Sequence, residues 1–371
     1  MTRSAEPARL DALDGVRGLA ILSVFVMHAA LYVPLLPIGD IPLAEGYMRL
    51  ALLGWCGVDV FFVLSGFLIT GILVRTKGSP HYFRNFYARR SLRIFPLYYV
   101  VILLLLFVLA SKPLAEGEAL AHLAYYQNLW YAFSGHGAAD VSRSVTWSLA
   151  IEEQFYLLWP ALVLLVSRRG LVIACVAVAL GAIVARLLSL DAGLVQTHFV
   201  TWCRLDALAM GSLLALLPLP PRWLGLLLAL AGAAGLVLLM STTGASLPEA
   251  LPMQQYGLPA ALALATGVLV LARHPGPFAA LCRLRPLRSL GRYSYCVYLI
   301  HVLAIQFVVE RVGVHRTSAE FAAVLRQWPT LLLIVAFTSL SLVLAWGLGW
   351  LSWHLFEKRV LVLKDRFPNG G

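Results

Sequence analysis

From about residue 18 onward, apolar runs of roughly twenty residues alternate with short polar interruptions. A helix needs about that length to cross roughly 30 Å of hydrocarbon. Ten spans are predicted, near 18–36, 52–74, 94–111, 146–166, 171–189, 202–217, 223–241, 257–272, 293–312 and 329–353. The pattern is that of an all-α polytopic membrane protein: one membrane domain over 1–371, with spans from about 18 to 353 and a short tail, 354–371. The stretch 112–145 is more polar and carries AYYQNLWYAF; it reads either as an outer loop or as a partly re-entrant one. Neither an internal repeat nor a low-complexity tract is visible.

Composition removes the soluble alternatives. The chain is 60% hydrophobic and 13% charged, against about 25% charged in a soluble domain. Its net charge of +11 would raise nucleic acid as a partner in a soluble protein. Here the location of the charge decides. Basic clusters lie at Arg3 and Arg9, in RTKGSPHYFRNFYARRSLR (75–93), in SRRG (167–170), in RHPGPFAALCRLRPLRSLGR (273–292) and in FEKRVLVLKDR (356–366). All fall on one side of a ten-span zigzag, whereas loops 34–47, 190–201 and 242–256 hold almost none. Both termini are therefore expected in the cytoplasm, in a multi-pass protein of the cell (inner) membrane, and no basic surface is left for nucleic acid. Basic residues before the first span give it a signal-peptide flavour, which Glu6, Asp11 and Asp14 argue against. Cys56, Cys175, Cys203, Cys282 and Cys296 are scattered singly, with neither metal-ligand spacing nor a disulfide framework. They read as buried thiols, and no metal is expected.

The chemistry sits in polar residues inside the spans. In DGVRGLAILSVFVMHAA, Arg17 and His28 are separated by about 16 Å of helical rise and close to three full turns, so they share one face. An ionisable side chain at mid-membrane costs on the order of 3 kcal/mol and usually faces a cavity or a partner. Histidine also suits proton transfer near neutrality. Taken alone, the two fit equally well a histidine bonded to a nearby carbonyl beside an arginine that anchors the helix. Other spans add Asp59 and Ser65-Gly66 in GVDVFFVLSGFLIT, Glu152 and Glu153 in TWSLAIEEQFYLLWP, Arg204 and Asp206 as an expected ion pair in WCRLDALAMG, and His301 in GRYSYCVYLIH. Together they suggest a polar passage through the bundle. At the cytoplasmic edge, ARRSLRIFPLYY places Arg90 and Arg93 at i and i+3, a spacing that suits a phosphate-bearing ligand. The ordinary basic stop of a span accounts for the same charge sign.

As a set, LDALDGVRGLAILSVFVMH, GVDVFFVLSGFLIT, RRSLRIFPLYY, TWSLAIEEQFYLLWP, RLDALAMG and GRYSYCVYLIH resemble the membrane-bound acyltransferase-3 family, in the family's order from residue 10 to 301. Glu357 is also family-like, although the familiar closing Glu-Pro is Glu357-Lys358 here. The resemblance implies O-acyl transfer, usually of acetyl from acetyl-CoA or another acyl-CoA, to a hydroxyl of a carbohydrate or glycosylated acceptor such as a cell-surface polysaccharide. It places the family's arginine-to-histidine motif on Arg17 and His28, its paired arginines on Arg90 and Arg93, and its acidic residue on Glu152. His28, Arg17 and Glu152 are then the catalytic candidates, with Arg90, Arg93 and Arg17 for the donor. Asp59, Ser65, Arg204, Asp206 and His301 are candidates to line the passage or meet the substrate, Ser65 being at a depth that suits an oxyanion donor. Some relatives carry a further SGNH hydrolase-like domain, which is not expected in these residues. The acceptor would be handled by the bundle or by a separate periplasmic partner. The rival reading is a proton-coupled transporter of a small solute, with Asp59, Glu152 and His28 as a relay.

Overall fold

The computed structural model describes residues 5–36, 41–109, 113–136, 140–242, 256–312 and 328–368, and these contain no strand. In chain order the helices are α1 (Ala5–Ala30), α2 (Ile41–Leu52), α3 (Gly57–Thr76), α4 (Tyr82–Phe107), α5 (Glu118–Leu123), α6 (Gln127–Phe133), α7 (Val141–Ser144), α8 (Trp147–Leu165), α9 (Arg168–Leu188), α10 (Leu194–Phe199), α11 (Leu205–Leu216), α12 (Arg222–Ser241), α13 (Leu258–Arg273), α14 (Pro277–Cys282), α15 (Arg285–Val312) and α16 (Thr330–Ser352). Eight segments among the described residues are long and apolar enough to cross a membrane, and the shorter apolar α11 and α13 stand where the other two predicted spans were expected. The protein is a polytopic membrane protein. Only 22% of the most apolar window of α9 and 17% of that of α12 is buried, against 61% for α1. The leucines and valines that α9 and α12 turn outward have lipid as their natural solvent.

One expectation needs correction. The span expected to start at 94 begins at Tyr82, so most of the basic stretch 75–93 continues one helix with the apolar run behind it. The polar stretch 112–145, read as an outer or partly re-entrant loop, carries three short helices in its described residues, α5, α6 and α7. Of the loops read as outer, residues 37–40 and 243–255 lie outside the described residues.

The chain forms two compact units, Met1–Val58 with Leu227–Leu351, and Asp59–Leu226 with Ser352–Gly371. In the first, α1 lies against α14 and α15 with backbones in contact. A Cβ at Gly18 would stand 2.1 Å from the Leu287 carbonyl oxygen, and one at Gly291 1.8 Å from that of Asp14. Small residues permit this approach where lipid offers no hydrophobic drive between helices. Arg288 donates to Asp11 at 2.5 Å along the same contact. Near its other end α1 joins an apolar cluster of Met27, Leu52, Trp55, Leu236, Leu258 and Ala261.

In the second unit, α3 and α11 make the equivalent contact. A Cβ at Gly66 would meet the Leu208 carbonyl oxygen at 2.0 Å, so this glycine serves helix approach. One turn along, Thr70 donates to Ser212 at 2.8 Å and receives the Trp159 indole N–H at 2.7 Å. Helices α4 and α8 are tied by Tyr82 to the Pro160 carbonyl (3.2 Å) and Tyr87 to that of Leu157 (2.8 Å).

The segment α5–α7 is held by a buried polar network. The fully buried Arg143 donates from Nε to Glu118 at 2.9 Å and pairs with Asp140 at 3.3 Å. His122 stands 3.0 Å from the Tyr131 hydroxyl and 3.3 Å from that of Thr146. Burial, and then the Arg143 charge, push the His122 imidazole down to about 3 from 6.5. The unfolded segment thus binds a proton that the folded one refuses between those values, and stability falls as pH drops from about 6.5 toward 3. Corrected for the intrinsic rate, which itself falls with pH, the protection of the α5–α7 amides against hydrogen exchange should drop between pH 7 and pH 4.5. His122→Gln should flatten that drop; an unchanged pH dependence in the variant would assign it to another group.

Candidate active site

In the first unit the pair of interest is His28, in the last turn of α1, and His301, on α15. Their rings meet edge to face with centroids 4.7 Å apart. Nδ1 of His28 lies 2.9 Å from the Val24 carbonyl oxygen and 3.2 Å from Nε2 of His301. Nδ1 of His301 lies 2.7 Å from the Tyr298 carbonyl oxygen. His301 is fully buried, and Phe25 and Tyr298 flank its ring. His28 is half-buried, and no bond to its Nε2 is recorded among the described residues. Toward the other end of α1, Arg17 donates to Asp14 at 2.6 Å, with both side chains about a third exposed. The carbonyl contact expected of a bland histidine is present, but on one nitrogen only.

The remaining candidates lie in the second unit. Asp59 accepts from Arg204 at 2.9 Å, and the Arg204 guanidinium carbon stands 5.6 Å from the ring centres of both Phe62 and Trp147. The expected Arg204–Asp206 pair does not form. Residues two apart at a helix start point in different directions, and Arg204 precedes α11 with non-helical backbone angles. Asp206 is instead bound by Arg186 of α9 at 2.6 Å, which also donates to the Cys203 carbonyl at 2.6 Å. Arg186 escaped the sequence reading, although an arginine in the last turn of an apolar span was the signal to notice.

Elsewhere in this unit, Ser65 Oγ is hydrogen-bonded to the Tyr156 hydroxyl, and the Arg90 guanidinium carbon sits 5.3 Å from the centre of that ring. Glu152 lies one turn before Tyr156 on α8 and is half-buried. Next to it, Glu153 has a buried carboxylate oxygen without a hydrogen-bond partner among the described residues. Tyr156 was not singled out in the sequence; it stands at i+4 from Glu152, so helical spacing would have nominated it as a neighbour.

The basic stretch of α4 is closed by the carboxyl-terminal segment. Arg93 faces Glu357 at 3.8 Å and stands 5.4 Å from the centre of the Trp353 ring. Arg89 donates to the carbonyls of Lys364 (3.1 Å) and Phe367 (3.0 Å), and Asn85 to that of Pro368 (2.9 Å). Lys364 lies within electrostatic reach of Arg93, Arg90 and Arg89. Four cations gathered this closely beside the Glu357 carboxylate repel one another, and an anion relieves that repulsion. Arg90 and Arg93 do share a helix face, yet each already leans on a different aromatic ring.

The acyltransferase domain model of the acyltransferase-3 family matches residues 10–350. The chain belongs to this family. Among its relatives, YrhL of Bacillus subtilis, named as a candidate peptidoglycan O-acetyltransferase, is 30% identical over 82% of this chain and 50% of its own length. The peptidoglycan O-acetyltransferase OatA of Listeria monocytogenes is 29% identical over 79% of this chain and 49% of its own. The O-acetyltransferase OatA of Staphylococcus aureus is 27% identical over 81% and 51%. The chain thus spans about half the length of the curated relatives it matches. No solved structure matches it. The matched acyltransferase domain takes in His28, His301, Arg90, Arg93 and the buried ion pairs, and stops short of Glu357 and Lys364.

Proposed function

We propose that the chain is an O-acyltransferase of the cell (inner) membrane, with both termini in the cytoplasm. It moves an acyl group, acetyl first among the choices, from an acyl-CoA to a carbohydrate hydroxyl. Peptidoglycan, named for the relatives, is the leading acceptor. The observation that supports this best is the His28 imidazole, whose Nδ1 is committed to the Val24 carbonyl. A carbonyl oxygen only accepts, so the proton of a neutral ring resides on Nδ1 and the Nε2 lone pair is left as a base.

In the reaction, the acceptor hydroxyl gives its proton to Nε2 while its oxygen bonds to the acyl carbon. The carbon–sulfur bond of the donor then breaks and the proton passes from His28 to the departing sulfur. Arg90 and Arg93, with Lys364 and Arg89 beside them, supply the charge that a nucleotide-bearing donor's phosphates require. Arg17 serves the donor on the α1 side. In the second unit, Glu152 is the acidic candidate, and Ser65, bonded to the Tyr156 hydroxyl, is the hydroxyl candidate for substrate contact.

The test uses purified protein in lipid nanodiscs, given labelled acetyl-CoA and peptidoglycan fragments. The expected result is an alkali-labile acetyl ester on the glycan, with free thiol released in equal amount. A proton-coupled transporter leaves the glycan unmodified, and that outcome would overturn the enzyme reading.

A further inference from the structure

We infer that His301 is a positioning residue for His28, holding it in the one tautomer that acts as a base and sharing the charge it gains. The inference rests on the acyl-transfer reading above. Two carbonyl contacts fix the protons. Nδ1 of His301 is 2.7 Å from the Tyr298 oxygen, so it carries a hydrogen, and the Nε2 of a neutral ring is then a bare lone pair. That lone pair faces Nδ1 of His28 at 3.2 Å, whose hydrogen is shared between it and the Val24 oxygen at 2.9 Å. The opposite assignment fails on both contacts. If His301 Nε2 donated, His301 would have to be doubly protonated in a fully buried position. The Nδ1 lone pair of His28 would also be pressed against the lone pairs of a carbonyl.

The arrangement resembles the orienting half of a hydrolase triad with a neutral ring in place of the carboxylate. A carboxylate buried at this depth without a counter-charge would be costly; an imidazole accepts the same hydrogen at no such cost. Among the described residues, the groups that face the pair are the Val24 carbonyl from α1, and Tyr298 and the Val297 carbonyl from α15, with Phe25 against the His301 ring. None of these is a carboxylate. When Nε2 of His28 takes the acceptor's proton, the hydrogen on Nδ1 becomes more acidic, and both its acceptors strengthen their hold. His301 therefore acts on the transition state more than on substrate binding.

The test compares His301→Phe, which keeps an aromatic ring and removes the lone pair, with His301→Gln, whose side-chain carbonyl restores an acceptor. The phenylalanine variant is expected to lose about ten- to a hundredfold in kcat, with KM for acetyl-CoA and for the glycan unchanged. The glutamine variant is expected to recover most of that loss. A phenylalanine variant with normal kcat, a change confined to KM, or a glutamine variant as impaired as the phenylalanine one would overturn the inference. If the phenylalanine protein does not accumulate, His301→Leu gives the same contrast. Wild-type protein and His28→Ala are assayed alongside: a wild type that leaves the glycan unmodified removes the acyl-transfer reading itself, an active His28→Ala removes His28 as the base and the inference with it, and an inactive His28→Ala beside a normal His301→Phe removes only the role of His301.

Discussion

His28→Ala is expected to lower kcat by about 10²- to 10⁴-fold, the range that a positioned general base contributes. The effect is large because, among the described residues, the groups in hydrogen-bond or ring contact with the pair are backbone carbonyls, Tyr298 and Phe25, none of them a further base. His301 is not a substitute, since its Nε2 points at His28 and its Nδ1 is bound to Tyr298. Insertion should be unaffected, because the substitution removes a polar side chain from a membrane helix. The measurement is ester formation per molecule of monodisperse purified protein, with His28→Gln beside it. Both variants should retain donor binding. A variant with more than a tenth of the wild-type rate would take His28 out of proton transfer.

The second large effect is on stability. Arg204→Ala leaves the Asp59 carboxylate buried without the cation that faces it at 2.9 Å, and breaking such a pair by removing one partner costs about 3–5 kcal/mol. The substitution also removes the guanidinium that stands over both the Phe62 and the Trp147 rings. Thermal unfolding in detergent should show a sharp fall in Tm for Arg204→Ala. Arg204→Met combined with Asp59→Asn removes both charges and keeps the volume, and should recover most of the loss. Were the double variant as unstable as the single one, the ion pair would not be what holds this part of the unit. On this account Asp59 and Arg204 brace their own helices instead of forming part of a relay.

What the sequence disclosed follows from what the bilayer enforces locally. Each span must satisfy its own backbone hydrogen bonds and present apolar side chains to lipid, so hydropathy located the spans, including those that became the short α11 and α13. Arg17 and His28 were readable as one face because both lie on the same helix. Partnerships across hundreds of residues were not readable. His28 and His301 are 273 positions apart, and neither motif names the other. The Arg204–Asp206 expectation came from nearness in sequence, whereas Asp206 finds Arg186 on α9 and Arg204 finds Asp59 on α3. The start of α4 was misplaced because Arg84, Arg89, Arg90 and Arg93 lower the hydropathy of a helix whose other face is packed. The helices of the α5–α7 segment were hidden for a related reason: Glu118, His122, Gln127 and Arg143 are polar, but they direct their polarity at one another and their neighbours. Glu357 was flagged through the family resemblance; only the fold shows that it faces Arg93.

The most direct test of the central claim is an experimental density map of the protein with a non-hydrolysable thioether analogue of acetyl-CoA. The expected result places the analogue's acyl carbon so that one acceptor oxygen can reach both that carbon and His28 Nε2 at about 3 Å. An analogue bound with its acyl end away from His28, or a His28 ring turned out to lipid, would contradict the account.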